Sequence, residues 1–420
     1  MRRLTSTQGD VASVVAEVLE NRLAPDSPRP IALALSGGGD SVALLLAAAA
    51  WARAHGRRLV ALTVDHQLQP LSRAWTEACV GLADRQGVAF RALAWDSAKP
   101  ERGLPAAARA ARHRLLAEAA RDLGARVLLI GHTADDVLEA RAMRQAGATT
   151  PEPRPWSPSP AWPEGRGLFL LRPMLSLRRA QIRAWLAPRG EAWIEDPANA
   201  DLRFARPRAR AGLAETGEVA LDVPAPLRLA ERCQFDVGGG IVIPRTALKA
   251  ATLDAARRLL AMASVCAGGG ARLPSTAVRD RLTARLRAEG EVVATLAGAR
   301  VEADGDEVRI VREAGEARRG GLQPLDLAAG ERGVWDGRFD VEAATAVQVR
   351  KLGGLTRRLP ADQQRALAML PAGLRPGLPA LVDEGGAVNC PLFDDGHGRA
   401  TSLVEARLRA AAGLIEREPA

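Results

Sequence analysis

Residues 36–41 read Ser-Gly-Gly-Gly-Asp-Ser and fall between an apolar run at 31–35 and a second one at 42–52. Successive glycines let several backbone N–H groups turn towards one anion, and a helix starting just after them adds the positive end of its dipole. The hydroxyls of Ser36 and Ser41 can donate to phosphate oxygens. Asp40 repels phosphate unless a cation stands between them, so its presence suggests Mg2+ held with a pyrophosphate group. Two other phosphate loops fail here. No lysine follows the glycines, as a G-x-x-x-x-G-K-S/T loop requires, and Val42 stands at the last glycine of G-x-G-x-x-G. The plainer alternative is a glycine-rich turn in which Asp40 or Ser41 caps a helix.

Three further places carry the same kind of chemistry. Apolar runs end in Asp65 and His66, in Asp96 and Ser97, and in Gly131 and His132. Asp135, Asp136 and Glu139 follow one turn later. On a helix Asp135 and Glu139 are i,i+4 neighbours with Asp136 beside them. Such carboxylates either favour the positive end of a helix or bind a cation and accept its proton.

These residues need a scaffold that brings their loops together. Apolar strand-like runs at 31–35, 59–64, 88–95 and 126–130 alternate with helical patterns at 42–53, 73–86, 105–123 and 134–145, after a first helix at 10–24. That alternation implies right-handed βαβ units and an α/β fold with a doubly wound parallel sheet, whose ligands bind at the carboxyl ends of the strands. Residues 151–163 hold six prolines with Trp156 and Trp162 and read as a loop without regular structure, the tryptophans pinning it. A last strand, 168–171, and a helix, 177–187, follow. Residues 195–212 read as irregular and carry Arg203, Arg206, Arg208 and Arg210, which beside Arg172 and Arg178 form a candidate phosphate-contacting stripe. Beyond 213 the chain reads as mostly helical to 290 and as short strands after it. The expected division is therefore a catalytic domain at 1–212, a helical domain at 213–290 and a small α+β domain at 291–420.

Bulk composition narrows the partners. The 420 residues carry a net charge of +9, with 58 Lys+Arg of which only Lys99, Lys249 and Lys351 are lysines, and no tyrosine. So arginine-rich a composition looks like codon bias, and the basicity favours a polyanionic partner only modestly. Cys79, Cys233, Cys266 and Cys390 are far apart, which argues against a zinc site, a cluster or a disulfide framework. No run is long and apolar enough to span a membrane, and the N-terminus does not read as a signal peptide, so a cytoplasmic protein is expected.

The string Ser-Gly-Gly-x-Asp-Ser resembles the PP-loop of the ATP pyrophosphatases, which split ATP to AMP and pyrophosphate. The first half of the chain is similar to one branch in particular, the tRNA(Ile)-lysidine synthetases. The matching stretches are VDHQLQPLSRAWTEA (64–78), AARAARHRLL (107–116), GHTADDVLEARAMR (131–144), LRPMLSLRRAQI (171–182) and EDPANADLRFARPRAR (195–210). The chain departs from the family pattern at His113 for Tyr, Val137 for Gln, Pro207 for Asn and Gly131 for Ala. The resemblance implies a ligase that uses ATP and Mg2+ to adenylate the C2 oxygen of the wobble cytidine in a CAU-anticodon isoleucine tRNA. Free L-lysine then displaces AMP, and codon reading changes from AUG to AUA.

On that resemblance Ser36, Gly37, Gly38, Gly39, Asp40 and Ser41 hold the ATP phosphates, with Asp40 orienting Mg2+ and Asp65 and His66 on the nucleotide side. Asp40, His132, Asp135, Asp136 and Glu139 form the catalytic set, the carboxylates binding the lysine amine. Arg109 and Arg112 share a helical face and suit AMP, tRNA or a structural acid; with Arg203, Arg206, Arg208 and Arg210 they are the candidate tRNA contacts. Residues from 213 onward are expected to grip the tRNA body, and a homodimer is neither required nor excluded. Two rivals are another PP-loop tRNA-modifying enzyme and a catalytically decayed tRNA-binding protein. The absence of a C-x-x-C pair argues against sulfur-inserting relatives, and the intact loop argues against decay.

Overall fold

A computed structural model describes residues 10–196, 201, 205–213 and 219–420. The chain divides into two compact units, Met1–Ala225 with Ile415–Ala420, and Pro226–Leu414. The first unit thus runs past the expected boundary at 212 and takes in the last six residues.

In the first unit the elements run α1 (Val11–Arg22), β1 (Ile31–Ala34), α2 (Gly39–Ala54), β2 (Leu59–Asp65), α3 (Ser72–Arg85), β3 (Ala89–Ala94), α4 (Leu104–Asp122) and β4 (Val127–Leu129). After these come α5 (Ala134–Gln145), β5 (Trp156–Pro158), β6 (Phe169–Leu171), α6 (Arg179–Leu186) and α7 (Ala205–Ala211). The sheet order is β3-β2-β1-β4-β6-β5. All neighbours are parallel except the β5–β6 pair. From β1 the chain winds outward through β2 and β3, then returns to the other side of β1 as β4. The reversal of strand order lies between β1 and β4, and an open parallel sheet forms its ligand crevice there.

Strand alternation explains why both faces are covered. Ile31, Leu33, Leu59, Ala61, Val127 and Leu129 join one apolar core, which includes much of α1 and α2. Ala32, Val60, Leu62, Leu128 and Leu170 point the other way, into a core shared with Leu116, Ala117 and Ala120 of α4. Side chains with period 2, all apolar, demand such a two-faced burial.

Two expectations for this unit need correction. The proline-rich segment does hold regular structure: Trp156–Pro158 pairs antiparallel with Phe169–Leu171. An edge strand tolerates proline because one side of its ladder has no partner. The Trp156 ring stacks on Phe169 at 4.8 Å and its Nε1 donates to the Ile415 carbonyl at 2.7 Å, so this tryptophan packs within the protein. The arginine-rich segment is also not wholly irregular, since α7 spans Ala205–Ala211.

The second unit opens with β7 (Gln234–Phe235), β8 (Ile241–Pro244), α8 (Arg245–Ala250), α9 (Leu253–Ala267) and α10 (Thr276–Arg287), followed by β9 (Val292–Leu296), β10 (Ala299–Asp304) and β11 (Glu307–Arg312). Strands β7 and β8 join β9 to β11 in one antiparallel sheet of order β7-β8-β11-β10-β9. The division expected at 290 therefore runs through a sheet. Later residues form β12 (Leu325–Leu327), β13 (Arg332–Trp335), β14 (Phe339–Ala343), β15 (Val347–Lys351), α11 (Ala361–Ala368), β16 (Pro379–Asp383), β17 (Val388–Asn389), β18 (Gly398–Ser402) and α12 (Val404–Ala411). Val404 and Leu408 of α12 return to the core of Leu259, Leu260 and Ala263 on α9. Among the described residues no helix is long and apolar enough to cross a membrane.

Candidate functional site

The loop after β1 starts from a strand pinned on its neighbour. Leu35 N–H donates to the Leu62 carbonyl at 2.9 Å, and the buried Thr63 hydroxyl donates to the Leu35 carbonyl at 2.7 Å. The chain then turns at Gly37, whose φ of +78° suits glycine. A Cβ there would lie 2.3 Å from Cδ1 of Ile194. Ile194 N–H donates to the Gly37 carbonyl at 2.9 Å, so residues 193–194 wall one side of the loop. Gly38 caps α2 in extended conformation, and Gly39 opens the helix.

Ser41 organises the loop from below. Its hydroxyl donates to the Gly38 carbonyl at 2.8 Å and accepts from Ser36 N–H and the Ser36 hydroxyl, each at 3.2 Å. The first N–H groups of a helix have no intrahelical partner, so the Gly-Gly-Asp start of α2 presents donors with a positive dipole end behind them. Ser36 is exposed, while Gly38, Gly39 and Asp40 are half-buried. Gly131, on the other side of the crevice, sits under this turn. A Cβ at Gly131 would come within 3.1 Å of the Asp40 carbonyl group.

Asp40 faces the start of α5. Arg179 Nε donates to Asp40 Oδ2 at 3.1 Å and Nη1 donates to Glu139 Oε1 at 3.3 Å, with Nη2 3.8 Å from Asp136 Oδ2. Burial raises the Asp40 carboxyl above its ordinary value, Arg179 opposes this, and Asp136 and Asp135 add to it. Burial would lower the Arg179 guanidinium, but the carboxylates of Asp40, Asp136 and Glu139 outweigh that and raise it.

The acidic residues of α5 are each spoken for. Asp135 accepts from Arg178 Nη2 at 3.0 Å and from the Arg179 main-chain N–H at 2.7 Å. Burial alone would raise its pKa, but Arg178 and Arg179 together lower it. Asp136 Oδ2 accepts from Thr133 N–H at 2.8 Å and from the Thr133 hydroxyl at 3.1 Å, which makes it the capping partner of its own helix. Its other oxygen accepts from Arg206 at 2.8 Å. Glu139 is fully buried and accepts from Arg206 and Arg210, both at 2.8 Å. Three of the arginines expected in the phosphate stripe, Arg178, Arg206 and Arg210, thus pair with α5 carboxylates. Opposite charge, not chain position, selects the partner, and a buried carboxylate without a cation is costly. Arg208 is exposed. Arg203 lies outside the described residues.

Across the crevice the charge is positive. Arg109 and Arg112 of α4 make no ion pair or hydrogen bond to another described residue. Burial, with Arg109 and Arg206, pulls the Arg112 guanidinium down to about 10. Burial and Arg109 bring Arg172 to about 10 as well. His132 sits among them, and burial together with Arg172, Arg112, Arg206 and Arg109 holds its pKa far below that of an ordinary histidine. These surroundings favour the neutral ring of His132. Asp65 and His66 end β2 as expected. Asp65 Oδ1 accepts from Gln67 N–H at 2.8 Å, a local turn bond. His66 lies edge-on to Trp95, and its buried Nδ1 has no hydrogen-bond partner among the described residues.

The arrangement has two chemical halves. One is a donor loop beside unpaired guanidinium groups, suited to phosphates and other anions. The other is a carboxylate face suited to an amine, held in the free protein by guanidinium groups. Asp40 joins them. Sequence reasoning missed Arg179 as that junction. A signal existed: two arginines at a helix N-terminus oppose the helix dipole, which implies nearby carboxylates. Residues 193–194, walling the loop, left no comparable trace.

A family model described as a PP-loop domain matches residues 11–216. A tRNA(Ile)-lysidine synthase of Caulobacter vibrioides is 48% identical over 412 residues, 96% of this chain and 98% of that protein. The enzyme of the same name from Rhizobium meliloti is 35% identical, covering 93% of this chain and 88% of that one. Among solved structures, a U34-tRNA thiolase from Methanococcus maripaludis aligns with a TM-score of 0.39 at 15% identity, over 48% of this chain and 71% of that one.

Proposed function

The chain belongs to the tRNA(Ile)-lysidine synthase family, and from that premise we propose how its residues divide the work. The protein is an ATP-using ligase that modifies tRNA, joining lysine to the wobble cytidine of the CAU-anticodon isoleucine tRNA through an adenylated base. One observation carries this reading: near-full-length similarity together with a PP-loop that opens onto a carboxylate face at the reversal of strand order.

The N–H groups of residues 37–40 and the hydroxyl of Ser36 receive the ATP phosphates, with Asp65 and His66 on the nucleotide side. Mg2+ fits the donor set. Mg2+ commonly takes one or two carboxylates together with substrate phosphates, and Asp40 is a half-buried carboxylate at the loop. When bound, the ion offsets phosphate charge as pyrophosphate leaves. Arg109 and Arg112 meet the anionic nucleotide or tRNA backbone, joined by Arg208 and Arg203.

Free L-lysine presents its ammonium group to Asp135, Asp136 and Glu139, where it competes with Arg206 and Arg210. A carboxylate released from those arginines is positioned to accept the amine proton before attack. The basic second unit holds the tRNA body through phosphate contacts, since one unpaired base cannot distinguish tRNAs.

The deciding assay supplies ATP, Mg2+ and radiolabelled lysine with a CAU-anticodon isoleucine transcript, and in parallel with a methionine transcript. Label entering only the first, with matching AMP release, is the expected result. AMP release without label would keep adenylation and reject lysine as the nucleophile. Asp40→Ala should lower AMP release at least about a hundredfold while tRNA binding stays nearly intact. Equal loss of both would reject the role given to Asp40.

A further inference from the structure

His132 stands between β4 and α5, where the strand order reverses. Its Nδ1 lies 2.9 Å from Nε of Arg172, which donates to it. A guanidinium has only donors, so Nδ1 must offer its lone pair and the ring's single proton resides on Nε2. Arg172 is immobilised from behind. Its Nη1 donates to the Arg154 carbonyl at 2.8 Å and to the Ser157 hydroxyl at 3.1 Å, and its main-chain N–H donates to the Pro155 carbonyl at 2.9 Å. The charged groups acting on the ring are Arg172 beyond β6, Arg109 and Arg112 on α4 and Arg206 on α7, all cations. Among the described residues Nε2 has no partner.

We propose that Arg172 is a positioning residue that locks His132 as a neutral Nε2–H donor, and that this N–H binds an oxygen of the activated nucleotide instead of carrying a proton. The inference rests on the function proposed above and adds a specific task for two residues. A fixed neutral donor stabilises an oxygen that gains negative charge, and it needs no proton of its own. The proton shed by the attacking amine then goes to a carboxylate of α5.

The test begins with 15N-histidine labelling of the full chain, which has five histidines. His132→Gln identifies the His132 resonances by their loss. Long-range 1H–15N spectra should show His132 neutral, with its proton on Nε2, from about pH 8 down to about pH 5.5, below the ordinary histidine value. Arg172→Gln removes the guanidinium donor that fixes the lone pair on Nδ1, so a share of the ring should then appear as the Nδ1–H tautomer. Addition of AMP, or of the CAU transcript alone, should shift the Nε2–H signal, and which of them does so tells a nucleotide phosphate oxygen from a base carbonyl oxygen.

In the AMP-release assay His132→Ala should lose about a hundredfold, while His132→Gln, whose amide N–H replaces the donor, should stay within about tenfold of the parent. An imidazolium or an Nδ1–H signal in the parent protein overturns the proposal. So does an Nε2–H signal that neither AMP nor transcript moves, or a His132→Gln variant as inactive as His132→Ala. If Arg172→Gln does not fold, the parent spectra and the His132 variants still decide. A parent protein that releases no AMP would instead reject the function, leaving the tautomer spectrum to stand by itself.

Discussion

At the residue scale the site is governed by which charges are paired. His113 shows how far an unpaired cationic surrounding reaches. It is buried on α4, and burial, followed by Arg112, Arg109 and Arg172, pushes its pKa down to about 3. An ordinary histidine takes up a proton near pH 6.5, so between these values the unfolded chain binds a proton that the folded protein refuses. Stability is therefore complete above about pH 6.5 and falls as the pH drops towards 3, by up to about 1.4 kcal/mol per pH unit for such a group. His113→Phe should flatten the decline of Tm between about pH 6.5 and pH 5, followed by circular dichroism. A slope identical to the parent's would mean that the folded protein accepts this proton freely.

At the element scale α7 is unusual in having no buried residue. Apolar burial cannot hold it, so its attachment to α5 falls to the ion pairs of Arg206 and Arg210 with Asp136 and Glu139. Half-exposed pairs of this kind are individually weak, but here they meet a carboxylate that is fully buried and needs them. The double substitution Arg206→Gln and Arg210→Gln should release the helix. Hydrogen exchange of the amides at 205–211 should rise at least about tenfold, with the β1, β2 and β4 amides unchanged. Protection that survives the double change would mean that other contacts hold α7. Under the function proposed above, the lysine amine would take the place that these arginines hold on the α5 carboxylates.

At the scale of the whole chain, the last residues complete the first unit. Glu418 and Arg57 are both buried and pair at 2.9 Å, while Glu418 Oε2 also accepts from Ala24 N–H at 2.9 Å. Residues 361 positions apart in sequence thus share one buried ion pair. Removing a single member of such a pair leaves an uncompensated charge. Glu418→Ala should cost about 3–5 kcal/mol, measurable by urea denaturation. Replacing both partners, Arg57→Met with Glu418→Leu, should recover most of that loss. Equal destabilisation by the single and double changes would place the energy in the backbone contact at Ala24 instead.

What the sequence by itself determined is local, though the short helix at Ala205–Ala211 escaped it. The alternation of apolar runs with helical patterns, the glycine-rich string at 36–41 and the carboxylate spacing at 135–139 all survive in the fold, because each depends on residues within a turn or a strand of one another. Tertiary structure alone decided which charges meet. An arginine reads the same in a sequence whether it faces a phosphate or a carboxylate, so Arg206 and Arg210 looked like a phosphate stripe until Glu139 stood 2.8 Å away. The pairing of Arg172 with His132, the strand made from a proline-rich segment and the sheet that crosses residue 290 are hidden for the same reason. Each joins segments whose own patterns do not mention the other, and only the packed chain brings them within bonding distance.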